Sequence, residues 1–150
     1  IVMRTFSRSF SLAGARIGVA AANPGLIAEF LKTKDSYNLG VFRQTAGRAA
    51  MEDYAWMQAN VAKIRATRES LRDRLLALGF DVPKSQSNFL LARWNGTPSA
   101  REIFETLRDR KIFVRYFKAR RLENALRITV GTEPECDALI AALRGILAAK

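Results

Sequence analysis

From Val41 to Leu78 the chain contains no proline and only one glycine, Gly47, and this stretch admits little besides helix. Val61, Ile64, Leu71, Leu75 and Leu78 recur at intervals of three, four or seven, the spacing that lines one face of an α-helix. One long helix, or two joined helices, is therefore predicted. Gly79 follows where a helix commonly stops on a residue free to take left-handed backbone angles, and a domain hinge is placed near residues 79–81.

On either side of this rod the pattern alternates between strand and helix. Arg16 to Ala22 reads as a buried strand, stopped by Asn23-Pro24-Gly25, with Asn23 able to cap and Pro24 able to start a helix that ends near Lys32. Thr33 to Gly40 is dense in turn-forming residues and reads as loop. Beyond the hinge, Asn88 to Trp94 is a strand candidate, and Ala100, Ile103, Phe104 and Leu107 mark one face of a helix. Ile112 to Tyr116 and Leu126 to Val130 are two further strands. In the second, Leu126, Ile128 and Val130 face inward while Arg127 and Thr129 face outward, and Arg115 likewise stands opposite Ile112 and Val114. Thr132 to Glu135 spells a capping box, and Cys136, Leu139, Ile140, Leu143, Ile146 and Leu147 give the last helix its apolar stripe, making Cys136 a packed core thiol.

Composition narrows the chemistry. With 150 residues, 49% apolar and 26% charged, the chain has enough hydrophobic material for a packed core. Histidine is absent and Cys136 is the single cysteine, which excludes histidine-based triads, His/Cys zinc sites, CxxC redox motifs and a disulfide framework. A lone thiol fits a reducing cytoplasm, the expected location. No apolar run approaches the roughly 20 residues of a spanning helix, and no secretory leader is read at the start. The chain opens Ile1-Val2-Met3-Arg4 rather than with methionine, so an internal cut from a longer protein is expected. The formal net charge of +11 is concentrated in helical segments, Lys63 to Arg74 and Arg101 to Arg121, and reads as arginine-rich solvated helix faces. No RNP-like aromatic pattern or zinc-finger spacing accompanies it, so neither a nucleic acid nor a membrane is expected as partner.

The stretch that carries chemistry is Arg4 to Gly18, RTFSRSFSLAGARIG. Four hydroxyls, at Thr5, Ser7, Ser9 and Ser11, sit with Arg8 and Arg16 in a turn between two strands, a composition suited to holding a phosphate through hydroxyl and guanidinium donors. A serine-rich turn with arginines facing water has the same composition.

The order of residues in this run resembles the lysine segment of fold-type I pyridoxal-phosphate enzymes, roughly S/T-x-S-K-x-F/Y-x-L-A-G-x-R-x-G, and in particular the histidinol-phosphate aminotransferase branch. Asp35 to Leu39, Ser85 to Leu90, Phe113-Val114-Arg115 and Leu126 to Thr132 are similar to further marks of that family, in the same order. The resemblance covers the whole chain but only the second half of the family's length. It implies an α/β chain forming the C-terminal part of such an enzyme. Residues 1–50 would be the tail of the large α/β domain, 51–79 the long connecting helix, and 80–150 the small α+β domain. It also implies pyridoxal 5'-phosphate as cofactor, with Thr5, Ser7 and Arg16 on its phosphate. Arg127, with Arg115 beside it, would hold the anionic end of an amino donor or a 2-oxo acid. A homodimer is implied for the full-length protein. Tyr37, Asn38 and Asn88 either border the site or serve their turns.

One departure stands out. Where the family has its Schiff-base lysine, this chain has Arg8. That chemistry needs an amine able to lose a proton, attack an aldehyde and then shuttle a proton, whereas a guanidinium keeps its charge and spreads it over three nitrogens. Lys32 and Lys34 do not stand at the motif position. The explanations, in order, are an introduced or erroneous residue, a relative that has lost catalysis but still binds phosphate ligands, and a lysine-independent chemistry. The expected function is histidinol-phosphate:2-oxoglutarate transamination by the longer protein, this chain being inactive alone. The alternatives are another aminotransferase or a threonine-phosphate decarboxylase of the same family, or a non-catalytic binder of phosphate ligands or nucleic acid.

Overall fold

The computed structural model describes residues 1–148. It shows a mixed α/β chain in the order β1 (Val2–Thr5), β2 (Gly18–Ala21), α1 (Pro24–Thr33), α2 (Val41–Glu52), α3 (Tyr54–Ala77), β3 (Phe89–Arg93), α4 (Ala100–Asp109), β4 (Arg115–Tyr116), β5 (Ala125–Thr129) and α5 (Glu133–Ala148). The chain divides into two units, Ile1–Val61 and Ala62–Lys150. The small domain expected over 80–150 ends in residues 149 and 150, which lie outside the described residues. Among the described residues no helix is long and apolar enough to cross a membrane.

In the first unit β1 pairs antiparallel with β2, Val2 opposite Ala21 and Thr5 opposite Gly18. The expectation of a buried strand over 16–22 is corrected: only Gly18–Ala21 form strand, and all four are exposed. Among the described residues β1 is their one strand neighbour, and it too is exposed along its length. Burial falls instead on Phe6 and Ile17, just past the ribbon's end. The Phe6 N–H donates to the Ile17 carbonyl at 3.1 Å. Gly47 of α2 lies so near Ile17 that a methyl group there would meet its Cδ1 at 3.4 Å. α1 begins as its residues predict, with the Asn23 side chain accepting from the Gly25 N–H and Pro24 at the first turn. The long proline-free stretch is two helices, separated at Asp53 (φ −94°, ψ 47°). Aspartate favours helix ends over helix interiors because its side chain competes for nearby backbone groups.

In the second unit a three-stranded antiparallel sheet runs in the order β3-β5-β4. Its inner face, Leu90, Ala92, Leu126 and Ile128, is buried together with Leu71 and Leu75 of α3, Ile103 and Leu107 of α4, and Leu139, Ile140 and Leu143 of α5. The alternation expected for β5 holds, with Leu126 and Ile128 buried and Arg127 and Thr129 exposed. The strand expected over 112–116 shortens to Arg115 and Tyr116. Its first residues are used to close α4: Lys111 takes φ +62° and the Ile112 N–H donates back to the Leu107 carbonyl at 2.9 Å.

The two helix starts in this unit differ. Ser99 and Glu102 form a complete capping box on α4, a spacing the sequence reading passed over. At α5, Glu135 accepts from both the N–H and the hydroxyl of Thr132, at 2.7 and 2.9 Å. The bond from the Thr132 N–H to the Glu135 carboxylate is one half of the reciprocal box expected at 132–135.

Candidate functional site

The turn after β1 is built from the inside outward. Phe6, 3% exposed, anchors it, and the Phe10 ring stacks on Phe6 with centroids 4.7 Å apart. The Leu12 N–H returns to the Phe6 carbonyl at 3.0 Å, and Ser11 N–H closes a turn on Arg8 at 2.9 Å. Above that anchor the Ser7 N–H donates to Thr5 Oγ1 at 3.1 Å, and the Thr5 hydroxyl donates to Ser7 Oγ at 2.9 Å.

Arg16 takes left-handed backbone angles, φ 54° and ψ 45°, and its NH1 donates to the Ala13 carbonyl at 3.1 Å. Because Thr5 registers with Gly18 and Phe6 bonds Ile17, Arg16 sits at the same end of the ribbon as Thr5 and Ser7. Hydroxyls and a guanidinium with free N–H groups suit a phosphate's several acceptor oxygens. Arg8 is exposed in the same turn, its NH1 donating to the Ser7 carbonyl at 3.3 Å. It brings charge and donors but no primary amine.

The second unit holds the other two candidates. Arg115 and Arg127 are direct partners in the pairing of β4 with β5 and lie on the outer face of the sheet. Among the described residues neither guanidinium enters an ion pair or a hydrogen bond to protein, unlike Arg68, Arg74 and Arg101, each set on a carboxylate. Aromatic rings surround them instead. Arg115 lies over Phe117 at 5.4 Å, and Arg127 lies over Phe89 at 5.4 Å and Phe117 at 5.6 Å. These two phenylalanines were missed from the sequence, although the period-two alternation that turns Arg127 outward turns residues 89 and 117 outward as well.

The Tyr37 N–H donates to Asp35 Oδ1 at 3.3 Å, Asn38 Oδ1 accepts from Lys34 Nζ at 3.2 Å, and the Asn88 carbonyl accepts from the Val130 N–H at 2.9 Å. Cys136 is buried in the core, and burial pushes its thiol up, away from a nucleophilic thiolate. No cluster of three or more potential metal-ligating side chains occurs among the described residues.

Known proteins resemble this chain over nearly its whole length. The family Aminotransferase class I and II matches residues 1–143. Histidinol-phosphate aminotransferase 2 of Burkholderia mallei is 46% identical over 99% of this chain and 42% of its own length. Histidinol-phosphate aminotransferase 1 of a Nostoc species is 44% identical over 98% of this chain and 41% of its own. Among solved structures, histidinol-phosphate aminotransferase from Sinorhizobium meliloti, crystallised with pyridoxal-5'-phosphate, superposes with a TM-score of 0.83 at 29% identity, covering 97% of this chain and 40% of that one. The chain thus spans about two fifths of the length of the relatives it matches.

Proposed function

Since this chain belongs to the aminotransferase class I and II family, we propose that it is the C-terminal part of a pyridoxal-phosphate-dependent enzyme transferring an amino group between histidinol phosphate and 2-oxoglutarate. The observation that carries this reading is the 46% identity to a histidinol-phosphate aminotransferase across 99% of the chain. Residues 1–50 then serve as the tail of the large domain, 51–79 as the connecting helix and 80–150 as the small domain. The whole protein works in the cytoplasm as a homodimer.

Thr5, Ser7 and Arg16 hold the cofactor phosphate, and their donor set fits that role. Bound pyridoxal phosphate supplies an electron sink for negative charge at the substrate carbon. Arg127, with Arg115, binds the anionic end that both substrates present, through N–H forks that no acceptor among the described residues occupies.

The fit fails at Arg8. A guanidinium cannot serve as the amine that carries the cofactor, nor as a base that takes a proton from substrate carbon. A chain that keeps arginine at this position would hold its cofactor through the phosphate alone and be catalytically inert, so the transaminase reading takes Arg8 as an introduced or erroneous residue. Arg8 therefore favours one second reading, a relative that binds phosphate ligands without catalysis.

Intact-mass analysis of the natural protein after pyridoxal phosphate and borohydride, with peptide mapping across residue 8, separates the two. Borohydride fixes the cofactor to the amine that carries it. A longer chain labelled on lysine at position 8, active on histidinol phosphate, supports the aminotransferase. An unlabelled chain with arginine in place overturns it and leaves the phosphate-ligand binder.

A further inference from the structure

Arg115 and Arg127 stand directly opposite each other across β4 and β5, where like charges repel. Some arginines of the second unit are set on carboxylates, as Arg74 is on Asp137 at 2.8 Å and Arg101 on Glu105 at 2.9 Å. This pair instead shares one ring, the Phe117 face, at 5.4 Å from the Arg115 guanidinium and 5.6 Å from that of Arg127, with Phe89 against Arg127 at 5.4 Å. A ring face attracts a guanidinium without offering a lone pair. It can therefore restrain the side chain while leaving every N–H free, which a carboxylate partner could not do.

We propose that Phe117, seconded by Phe89, is the positioning residue of an anion site: its ring holds the two guanidiniums against their mutual repulsion so that both forks donate to one dianionic group such as a phosphate monoester. This rests on reading Arg115 and Arg127 as the anion-binding pair. Two uncompensated charges side by side favour a dianion over a monoanionic carboxylate, and a ring shared between them fixes the spacing of their donors.

The test follows the Nε–H resonances of Arg115 and Arg127 by NMR in the full 150-residue chain as inorganic phosphate is titrated at constant ionic strength. Both resonances should shift on one isotherm. Phe117→Leu, which keeps apolar volume but loses the ring, should weaken phosphate binding about three- to tenfold and let the two isotherms separate. Phe117→Tyr should restore binding to within about twofold, and Phe89→Leu should weaken the response of Arg127 more than that of Arg115. Unchanged amide resonances in the buried core show that the fold is intact, and should Phe117→Leu unfold, Phe89→Leu carries the same test at Arg127. Binding by Phe117→Leu as tight as wild type overturns the positioning role and leaves the anion pair standing. The absence of any shift at either arginine in the wild-type chain overturns the anion pair itself.

Discussion

Gly79 and Lys111 occupy the same place in two copies of one helix-ending motif. After α3, the Gly79 N–H donates to the Leu76 carbonyl at 2.9 Å and the Phe80 N–H to Leu75 at 3.2 Å. After α4, the Lys111 N–H donates to Arg108 and the Ile112 N–H to Leu107, both at 2.9 Å. Each central residue has positive φ, +91° and +62°, but only one is glycine. A side chain in the left-handed region costs roughly 1 kcal/mol. Lys111→Gly should therefore stabilise the second unit by about 0.5–1 kcal/mol, and Gly79→Ala should destabilise it by about 1 kcal/mol or more. A Cβ at Gly79 would also stand 3.4 Å from the Trp94 ring. Urea unfolding of the two variants checks both signs, and a Lys111→Gly midpoint below wild type would count against the motif at α4.

Acid should weaken the second unit through its two helix starts. The Ser99 hydroxyl, then the Ser99 N–H, hold Glu102 below its ordinary value of 4.5, and the Thr132 N–H, then its hydroxyl, do the same for Glu135. A carboxylate depressed in the folded state contributes stability above the unfolded value, and that contribution is lost as pH falls from 4.5 through the folded value. Glu102→Gln mimics the protonated side chain. Its urea midpoint should lie below wild type at pH 6, and the difference should close as pH falls below 4.5 and through the folded value.

How much of this was legible in the residues differs from place to place. The outward Arg127 followed from Leu126, Ile128 and Val130 alone, because a strand with one buried face leaves its pattern in the chain. The Phe117 ring over two guanidiniums did not follow, since alternation assigns a face and says nothing of which neighbours stack there. The run after Arg16 misled because apolar residues show what a segment can bury and not whether any layer covers it. Lys111 misled differently: lysine carries no mark of a positive φ, so the end of α4 consumed residues that read as strand. The turn from Thr5 to Arg16 was readable through the order of its residues, whereas its composition alone would also suit a solvated loop.

Cys136 should report global opening of the core. It is 2% exposed within the hydrophobic core, burial pushes its thiol up, and its sulfur donates to the Gly131 carbonyl at 3.9 Å. A thiol reagent should therefore modify the folded chain about a hundredfold or more slowly than the unfolded one, with the rate following the urea transition. Prompt labelling in native buffer would show that α5 leaves the sheet far more readily than its buried stripe implies.

Phosphate should stabilise this chain beyond what its ionic strength explains. A net charge of +11 repels itself, so sodium chloride should raise the thermal midpoint by screening alone. A ligand bound only by the folded state adds RT ln(1 + [L]/Kd), about 2.7 kcal/mol at a hundredfold excess over Kd, and so several degrees in Tm for a chain of this size. At matched ionic strength and low millimolar phosphate, the increment over chloride belongs to bound anion. Arg127→Gln should remove the part due to Arg115 and Arg127 while keeping the response to chloride, and Arg16→Gln should remove any part due to the turn after β1. Because Arg115 and Arg127 spend no donors on acceptors among the described residues, replacing either costs the folded chain little of its own. Loss of the phosphate increment with the chloride response preserved would therefore mark a pair held ready for a ligand, and equal shifts in phosphate and chloride for the unaltered chain would show that no such ligand binds.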